Sequence, residues 1–199
     1  MVRVFLLLCS IAFAKPPLDR AATFTSDGKK LWVALDFPEL ADAALQRKLD
    51  SGLVTTVVAR AYLVREGASR AEALAVQTVR TAYDLWDEVY VSEVSGEAGA
   101  RVFRDQKRDD ALRRLWQLKL PLAEAARLVP GEHYRVAVIV ELNPVSKELL
   151  QQVRRWLSRP REGAPLDGES YFGSFVSLFV HRKVGDAERV LQLRTQVYP

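Results

Sequence analysis

Apolar and polar residues alternate along much of the chain, which is typical of strands that bury one face. A hairpin is predicted within residues 18–37, because Ser26, Asp27 and Gly28 suit a tight turn between its two strands. Further strands are predicted at 53–66, 88–94, 100–105, 134–142 and 188–198. The strand at 134–142 is apolar almost throughout, so we expect it to be buried on both faces in the centre of the sheet.

Other segments space their apolar residues as helices do. We predict a helix over 38–51 that begins at Pro38 and stops before Gly52, and a second helix that begins near Asp109 and ends at Pro121. Further helices are predicted over 122–128, after a cap at Asn143, and over 170–180. Residues 71–86 fit either a helix or a strand, and we favour a strand from about residue 75.

These elements predict an α+β fold in a single domain, residues 18–199. It consists of a mostly antiparallel β-sheet of about seven strands with three to five packed helices. The chain is 49% hydrophobic and 27% charged, as is ordinary for a globular protein. The net charge of +4 comes from interspersed acids and bases, so we expect no nucleic-acid partner.

The first 14 residues have the three parts of a secretory signal peptide: a positive start at Arg3, an apolar stretch, and a small-x-small ending at Ala14. We therefore expect cleavage after Ala14 and a periplasmic protein. A buried N-terminal strand is the alternative, which Pro16 and Pro17 disfavour. Cys9 is the only cysteine and leaves with this segment, so disulfides and cysteine metal sites are not expected.

The search for catalytic residues is negative. The two histidines, His133 and His181, do not have the spacing of a metal site. Ser174 follows Gly173 but lacks the second glycine of a nucleophile elbow. The carboxylates of residues 84–88 suit acid–base chemistry or the end of a strand that meets water. We predict no catalytic residue, no cofactor and no metal.

Two segments suit binding. A helix with basic residues opposite an apolar stripe fits an anionic partner or a lipid surface, or is an ordinary solvated face. An aromatic segment follows it, which fits a membrane or an apolar ligand, or packs in the core. The candidate binding residues are Arg154, Arg155, Arg159, Phe172, Phe175 and Phe179.

Several motifs carry a resemblance to a known family. They lie in Leu142–Ser146, Leu149–Leu150, Arg154–Ser158, Phe172–Ser177 and Gly185–Leu191, with Leu49–Leu53 and Arg80–Asp87 earlier in the chain. In these motifs the chain resembles exported bacterial proteins of the domain of unknown function 4390 family. The resemblance covers most of the mature chain. It implies an envelope protein of a Gram-negative bacterium and brings no catalytic residue with it.

We predict a non-enzymatic periplasmic module that binds another envelope protein. The alternative is a carrier or sensor of a lipid or other apolar ligand held between the sheet and the helices. A carrier should contain an apolar cavity of roughly several hundred Å3, whereas a binding module should expose an apolar patch. An enzyme should bring polar groups with perturbed pKa values together in one cleft.

Overall fold

The computed structural model describes residues 17–68, 70–144 and 187–199. The strands are β1 (Leu18–Arg20), β2 (Thr23–Ser26), β3 (Lys30–Asp36), β4 (Thr55–Arg65), β5 (Ala71–Asp84), β6 (Val89–Gly96), β7 (Gly99–Asp105), β8 (Gln117–Glu124), β9 (Tyr134–Pro144) and β10 (Ala187–Thr195). The α-helices are α1 (Ala43–Asp50) and α2 (Arg108–Trp116), and single turns of 3-10 helix lie at Pro38–Leu40 and Ala125–Arg127.

The strands form a large and a small sheet. The large sheet has seven strands in the order β1-β10-β9-β4-β5-β6-β7, and the small sheet has the order β2-β3-β8. Neighbouring strands are antiparallel except for β1 and β10, which pair in parallel. The predicted mostly antiparallel sheet of about seven strands is confirmed for the large sheet, but the hairpin predicted within residues 18–37 contributes β2 and β3 to a separate small sheet that the sequence did not predict. The interior position of β9 is also confirmed, although Arg135, Ala137 and Ile139 on one of its faces are only half-buried. The described part of the chain contains two α-helices rather than the predicted three to five.

The hydrophobic core lies between the two sheets. Every second residue of β4 and β9 points toward the small sheet, because side chains alternate along a strand. The buried residues that meet there include Val57, Ala59, Ala61, Leu63, Val136, Val138, Val140, Leu142, Leu31, Val33, Leu35, Leu118, Leu120 and Leu122, with Leu45, Leu49, Leu112 and Leu115 from the helices. Burying each leucine contributes about 2 kcal/mol, so this layer holds the two sheets together.

The first predicted helix starts later than expected. Pro38 begins only the 3-10 turn, and α1 begins after Asp42, whose carboxylate accepts the N–H of Leu45 at 2.9 Å. A side-chain acceptor at this position satisfies a helical N–H that has no partner in the helix, so Asp42 is the effective cap. The predicted stop is confirmed, since Gly52 has a φ of 77°.

The predictions for residues 117–128 are wrong. α2 ends at Trp116, Gln117–Glu124 forms β8, and only Ala125–Arg127 is helical, as a 3-10 turn. Leucines at 118, 120 and 122 have the period of a strand, and Pro121 is tolerated because β8 lies at the edge of the small sheet. In the ambiguous segment 71–86, by contrast, the favoured strand is confirmed: β5 spans Ala71–Asp84 and starts four residues before the predicted position.

The other face of the large sheet carries a buried ion pair. The Arg60 Nη1 donates to Glu141 Oε2 at 2.6 Å, and the two side chains are 3% and 2% exposed. Val58 on the same face is fully buried. The Nε and Nη2 atoms of Arg60 are also buried, and neither has a hydrogen-bond partner in the structure as described. Among the described residues, the Arg60 guanidinium therefore forms a hydrogen bond through one of its three nitrogen atoms.

Candidate functional site

The candidate residues from the sequence, Arg154, Arg155, Arg159, Phe172, Phe175 and Phe179, lie outside the described residues. So do the signal segment, Ser174 and His181. The helices predicted after Asn143 and over 170–180 lie there as well, and these predictions stay predictions. Asn143 itself ends β9 with a φ of 45°, and its side-chain oxygen accepts the N–H of Thr56 at 2.9 Å.

The carboxylates of residues 84–88 shape a turn between β5 and β6. Asp84 Oδ1 accepts the N–H groups of Trp86 and Asp87, at 3.0 and 3.3 Å. Asp87 in turn pairs with Arg104 of β7 at 2.9 Å. Such hydrogen bonds from an aspartate to the backbone two and three residues ahead fix a turn. These acids therefore fix the backbone of the turn that carries Leu85 and Trp86.

An exposed apolar surface lies at this end of the large sheet. It consists of Leu53, Val54, Leu85 and Trp86, which are 60%, 50%, 68% and 96% exposed, and we name it the tryptophan patch. The two parts of the patch are neighbours, because a Cβ at Gly52 would lie 3.9 Å from Leu85 Cδ1. The pairing of Thr55 with Thr81 likewise places both loops at one end of the sheet.

Charged residues surround the tryptophan patch. Asp50, at the end of α1, accepts a hydrogen bond from Tyr90 at 2.7 Å and pairs with Arg108 at 3.0 Å. Burial and this hydrogen bond raise the pKa of Tyr90 to about 12. Asp84, Asp87 and Glu88 lie at the same rim, and Asp87 is paired with Arg104 as Asp50 is with Arg108, so the rim carries both charges with an excess of acids.

A second concave surface lies beside the small sheet. It is an open groove of about 620 Å3 between the outward face of β3 and β8 and the β6–β7 hairpin, and we name it the inter-sheet groove. Trp32, Lys119 and Pro121 line it from the small sheet, and Arg101 and Phe103 from β7. Both apolar and charged side chains therefore face this space.

Hydrogen bonds fix the aromatic ring of Trp32 in the inter-sheet groove. The indole Nε1 donates to Asp27 Oδ2 at 3.0 Å, and Asp27 Oδ1 accepts the N–H groups of Lys30 and Lys29, at 2.7 and 2.9 Å. These bonds, that from Lys30 first, lower the pKa of Asp27 to about 2. A carboxylate that stays ionised holds the indole throughout the physiological pH range.

The walls of the inter-sheet groove are also fixed. Gln77 of β5 donates to the Gln117 carbonyl at 2.9 Å and accepts the Lys119 N–H at 3.2 Å, which joins the large sheet to the edge of β8. Arg114 makes two hydrogen bonds to Asp105, at 2.6 and 2.8 Å, and these raise its pKa. Its guanidinium lies 3.8 Å from the centre of the Phe103 ring, a cation–π contact.

The titratable groups with perturbed pKa values lie on several elements of the described part of the chain. No three His, Cys, Asp or Glu side chains lie where they could hold a metal ion together, among the residues that the structure places. A hydrogen bond is the main cause of the pKa shifts of Asp27, Asp42, Arg114 and Glu188, whereas burial is the main cause of the raised pKa of Tyr90. In the same part of the chain, no helix is long and apolar enough to cross a membrane.

Comparison of the chain with family models, with curated proteins and with solved structures finds no match. The resemblance to the domain of unknown function 4390 family therefore remains a proposal. Two of its motifs meet in the fold, because Leu49–Leu53 and Arg80–Asp87 both end at the tryptophan patch. Sequence reasoning missed this patch, although a leucine and a tryptophan in a polar turn between two strands were a usable sign of it.

Proposed function

We propose that this protein is a non-enzymatic module of the bacterial envelope that binds another protein through the tryptophan patch. The observation that supports this most directly is the 96% exposure of Trp86 on a turn held by Asp84. Tryptophan is among the residues most enriched in binding hot spots, and a turn whose backbone is already held by hydrogen bonds loses little backbone entropy when it binds. Export and the periplasmic location belong to the same proposal and rest on the pattern of residues 1–14.

The acidic rim favours a protein partner over a membrane. An apolar centre within a charged rim is the usual anatomy of a protein interface. Insertion of Trp86 into a bilayer would bring Asp84, Asp87 and Glu88 to the lipid headgroups, and anionic lipids repel them. The partner is therefore expected to present an apolar pocket with basic residues around it.

A carrier of an apolar ligand is supported less well. The inter-sheet groove has the volume of a ligand pocket, but it is open and lined by Arg101, Lys119 and Asp27 beside its aromatic side chains. Carriers of lipids instead enclose a mostly apolar space. A partner-binding module is expected to expose an apolar patch, and the tryptophan patch is such a surface whereas this groove is not.

The experiment that tests the proposal combines cross-linking with affinity measurement. A photo-reactive phenylalanine analogue replaces Trp86 in cells of the source bacterium, and a control places it at Lys29 in the turn between β2 and β3. We expect a protein adduct from position 86 alone. With the purified partner, Trp86→Ser should weaken binding by about thirtyfold or more, as for a hot spot of about 2 kcal/mol.

Leu85→Ser is a second variant of the patch, and Val102→Ser is the matched control, since Val102 is 65% exposed on β7. The first should weaken binding and the second should not, while both should leave the melting temperature unchanged. Equal binding by Trp86→Ser and the wild type would contradict the proposal. If the wild-type protein floats with phosphatidylglycerol vesicles and Trp86→Ser does not, the patch is instead a membrane contact.

A further inference from the structure

We infer that the inter-sheet groove is a second binding site, which takes an extended peptide through a carboxylate group at Arg101 and Lys119. This site is distinct from the tryptophan patch and does not depend on it. The inference rests on the length of the groove, on its fixed aromatic floor and on the two cations that its walls present.

The length of the groove suits a short extended chain. Gln117 and Pro121 of β8 line one side, and Gly99 and Phe103 of β7 line the other. Each side spans four residue steps, or about 14 Å at roughly 3.4 Å per residue. A volume of about 620 Å3 lies within the range of known ligand sites. The open side admits a chain that continues beyond the groove.

The floor offers a fixed apolar contact. Trp32 lies on the outward face of β3, opposite Pro121 on β8, and its indole is held by Asp27. Phe103 faces the same space, with Arg114 stacked on it. Aromatic side chains that are already fixed bind an apolar side chain without first losing their own conformational freedom.

The cations are available for a ligand. Most arginines of the described residues pair with carboxylates, as Arg114 does with Asp105 and Arg104 with Asp87. Arg101 and Lys119 line the groove, and neither forms a salt bridge within residues 17–68, 70–144 and 187–199. Arginine and lysine beside a groove are the usual partners of a carboxylate.

The charges also give the bound peptide a direction. Asp27 and Glu97 lie at the two hairpin turns, which form one end of the groove, while Lys119 lies farther along β8 toward Gln117. Asp27 and Glu97 would repel a peptide carboxylate at the turn end of the groove. The carboxylate of the peptide therefore lies near Lys119, away from the turns. The peptide then runs with its remaining residues toward the turns and over Trp32.

The carboxylate can be a chain terminus or a glutamate side chain, and the test separates the two. Three pools of acetylated tetrapeptides with randomised sequences are titrated to millimolar concentration into the isotope-labelled protein. The first pool has a free terminal carboxylate. The second is amidated and carries one glutamate, and the third is amidated and lacks acidic residues. The indole N–H resonance of Trp32, assigned with Trp32→Phe, reports binding.

A shift with the first pool alone identifies a chain terminus, and a shift with the second pool shows that a side-chain carboxylate is sufficient. Both results support the site. Arg101→Gln and Lys119→Gln should each weaken binding about tenfold, the effect of losing one charge-assisted hydrogen bond. Arg47→Gln is the matched control, because Arg47 is exposed and lies on α1 away from the groove. This variant should bind the peptides as the wild type does. The inference is overturned if no pool shifts Trp32, if the third pool shifts it equally, or if Arg101→Gln binds unchanged.

Discussion

The buried pair of Arg60 and Glu141 predicts opposite effects for single and double substitutions. Arg60 is 3% exposed, and its Nη1 lies 2.6 Å from Glu141 Oε2. Replacing Glu141 by Leu therefore leaves a buried guanidinium without its counter-charge. Removing one partner of such a pair costs about 3–5 kcal/mol of unfolding free energy, because the remaining charge stays desolvated. Arg60→Met should cost a similar amount, since it leaves the carboxylate alone.

The double variant Arg60→Met, Glu141→Leu should recover this loss. In the wild type, Nε and Nη2 of Arg60 are buried and have no partner among the described residues, and each such donor costs about 1–3 kcal/mol. Replacing both charges by apolar side chains removes that cost along with the ion pair. We therefore expect the double variant to be as stable as the wild type, or more stable by about 1–4 kcal/mol.

Urea unfolding followed by circular dichroism measures these differences at constant pH and salt. Glu66→Gln provides the control, because the pair of Glu66 with Arg135 is half exposed and should change stability by about 1 kcal/mol or less. A loss below about 1 kcal/mol in Glu141→Leu would refute the burial argument. A double variant as unstable as either single variant would show that shape, rather than charge, decides the stability of this layer.

Two further predictions concern the turns. Gly52→Ala should lower the unfolding free energy by about 1 kcal/mol, because a φ of 77° is unfavourable for any residue with a Cβ, and thermal unfolding measures this. The pKa of Asp27 is lowered to about 2, so its contribution to stability is complete above pH 4 and is lost as the pH falls toward 2. The melting temperature of Asp27→Asn should therefore fall less than that of the wild type over this range, and the Trp32 indole resonance should titrate near pH 2. A wild-type indole resonance that titrates near pH 4 would contradict the structure.

Local patterns were sufficient to predict most strands. The alternation in β6 and the apolar run of β9 reflect the environment that a strand has within a sheet, and Asp27 and Gly28 form the predicted turn. Local patterns failed at β8. The sequence predicts that a helix ends at Pro121, because nothing near this proline in the sequence shows that it lies at a sheet edge, where a missing N–H is tolerated.

The candidate sites depend on contacts between distant residues. The inter-sheet groove forms because Gln77 joins β5 to β8, which lies some 40 residues farther along the chain. The tryptophan patch likewise needs the loop at Gly52 beside the loop at Leu85. The sequence alone predicts binding residues between Arg154 and Phe179, since amphipathic and aromatic patterns are visible locally whereas a surface shared by two loops is not.

The position of β9 determines the order in which the large sheet can be completed. Hairpins β4–β5 and β6–β7 join neighbours in sequence and can form as soon as they are synthesised, but β4 lacks its second partner until residues 134–144 follow. Pairing over such a separation is slow, and in the interval β4 presents an unpaired edge. A charge in the middle of an otherwise apolar strand discourages wrong pairing at such an edge, and Arg60 occupies that position. Arg60, which has two unpaired nitrogen atoms among the described residues of the folded protein, therefore discourages wrong pairing of β4 before β9 arrives.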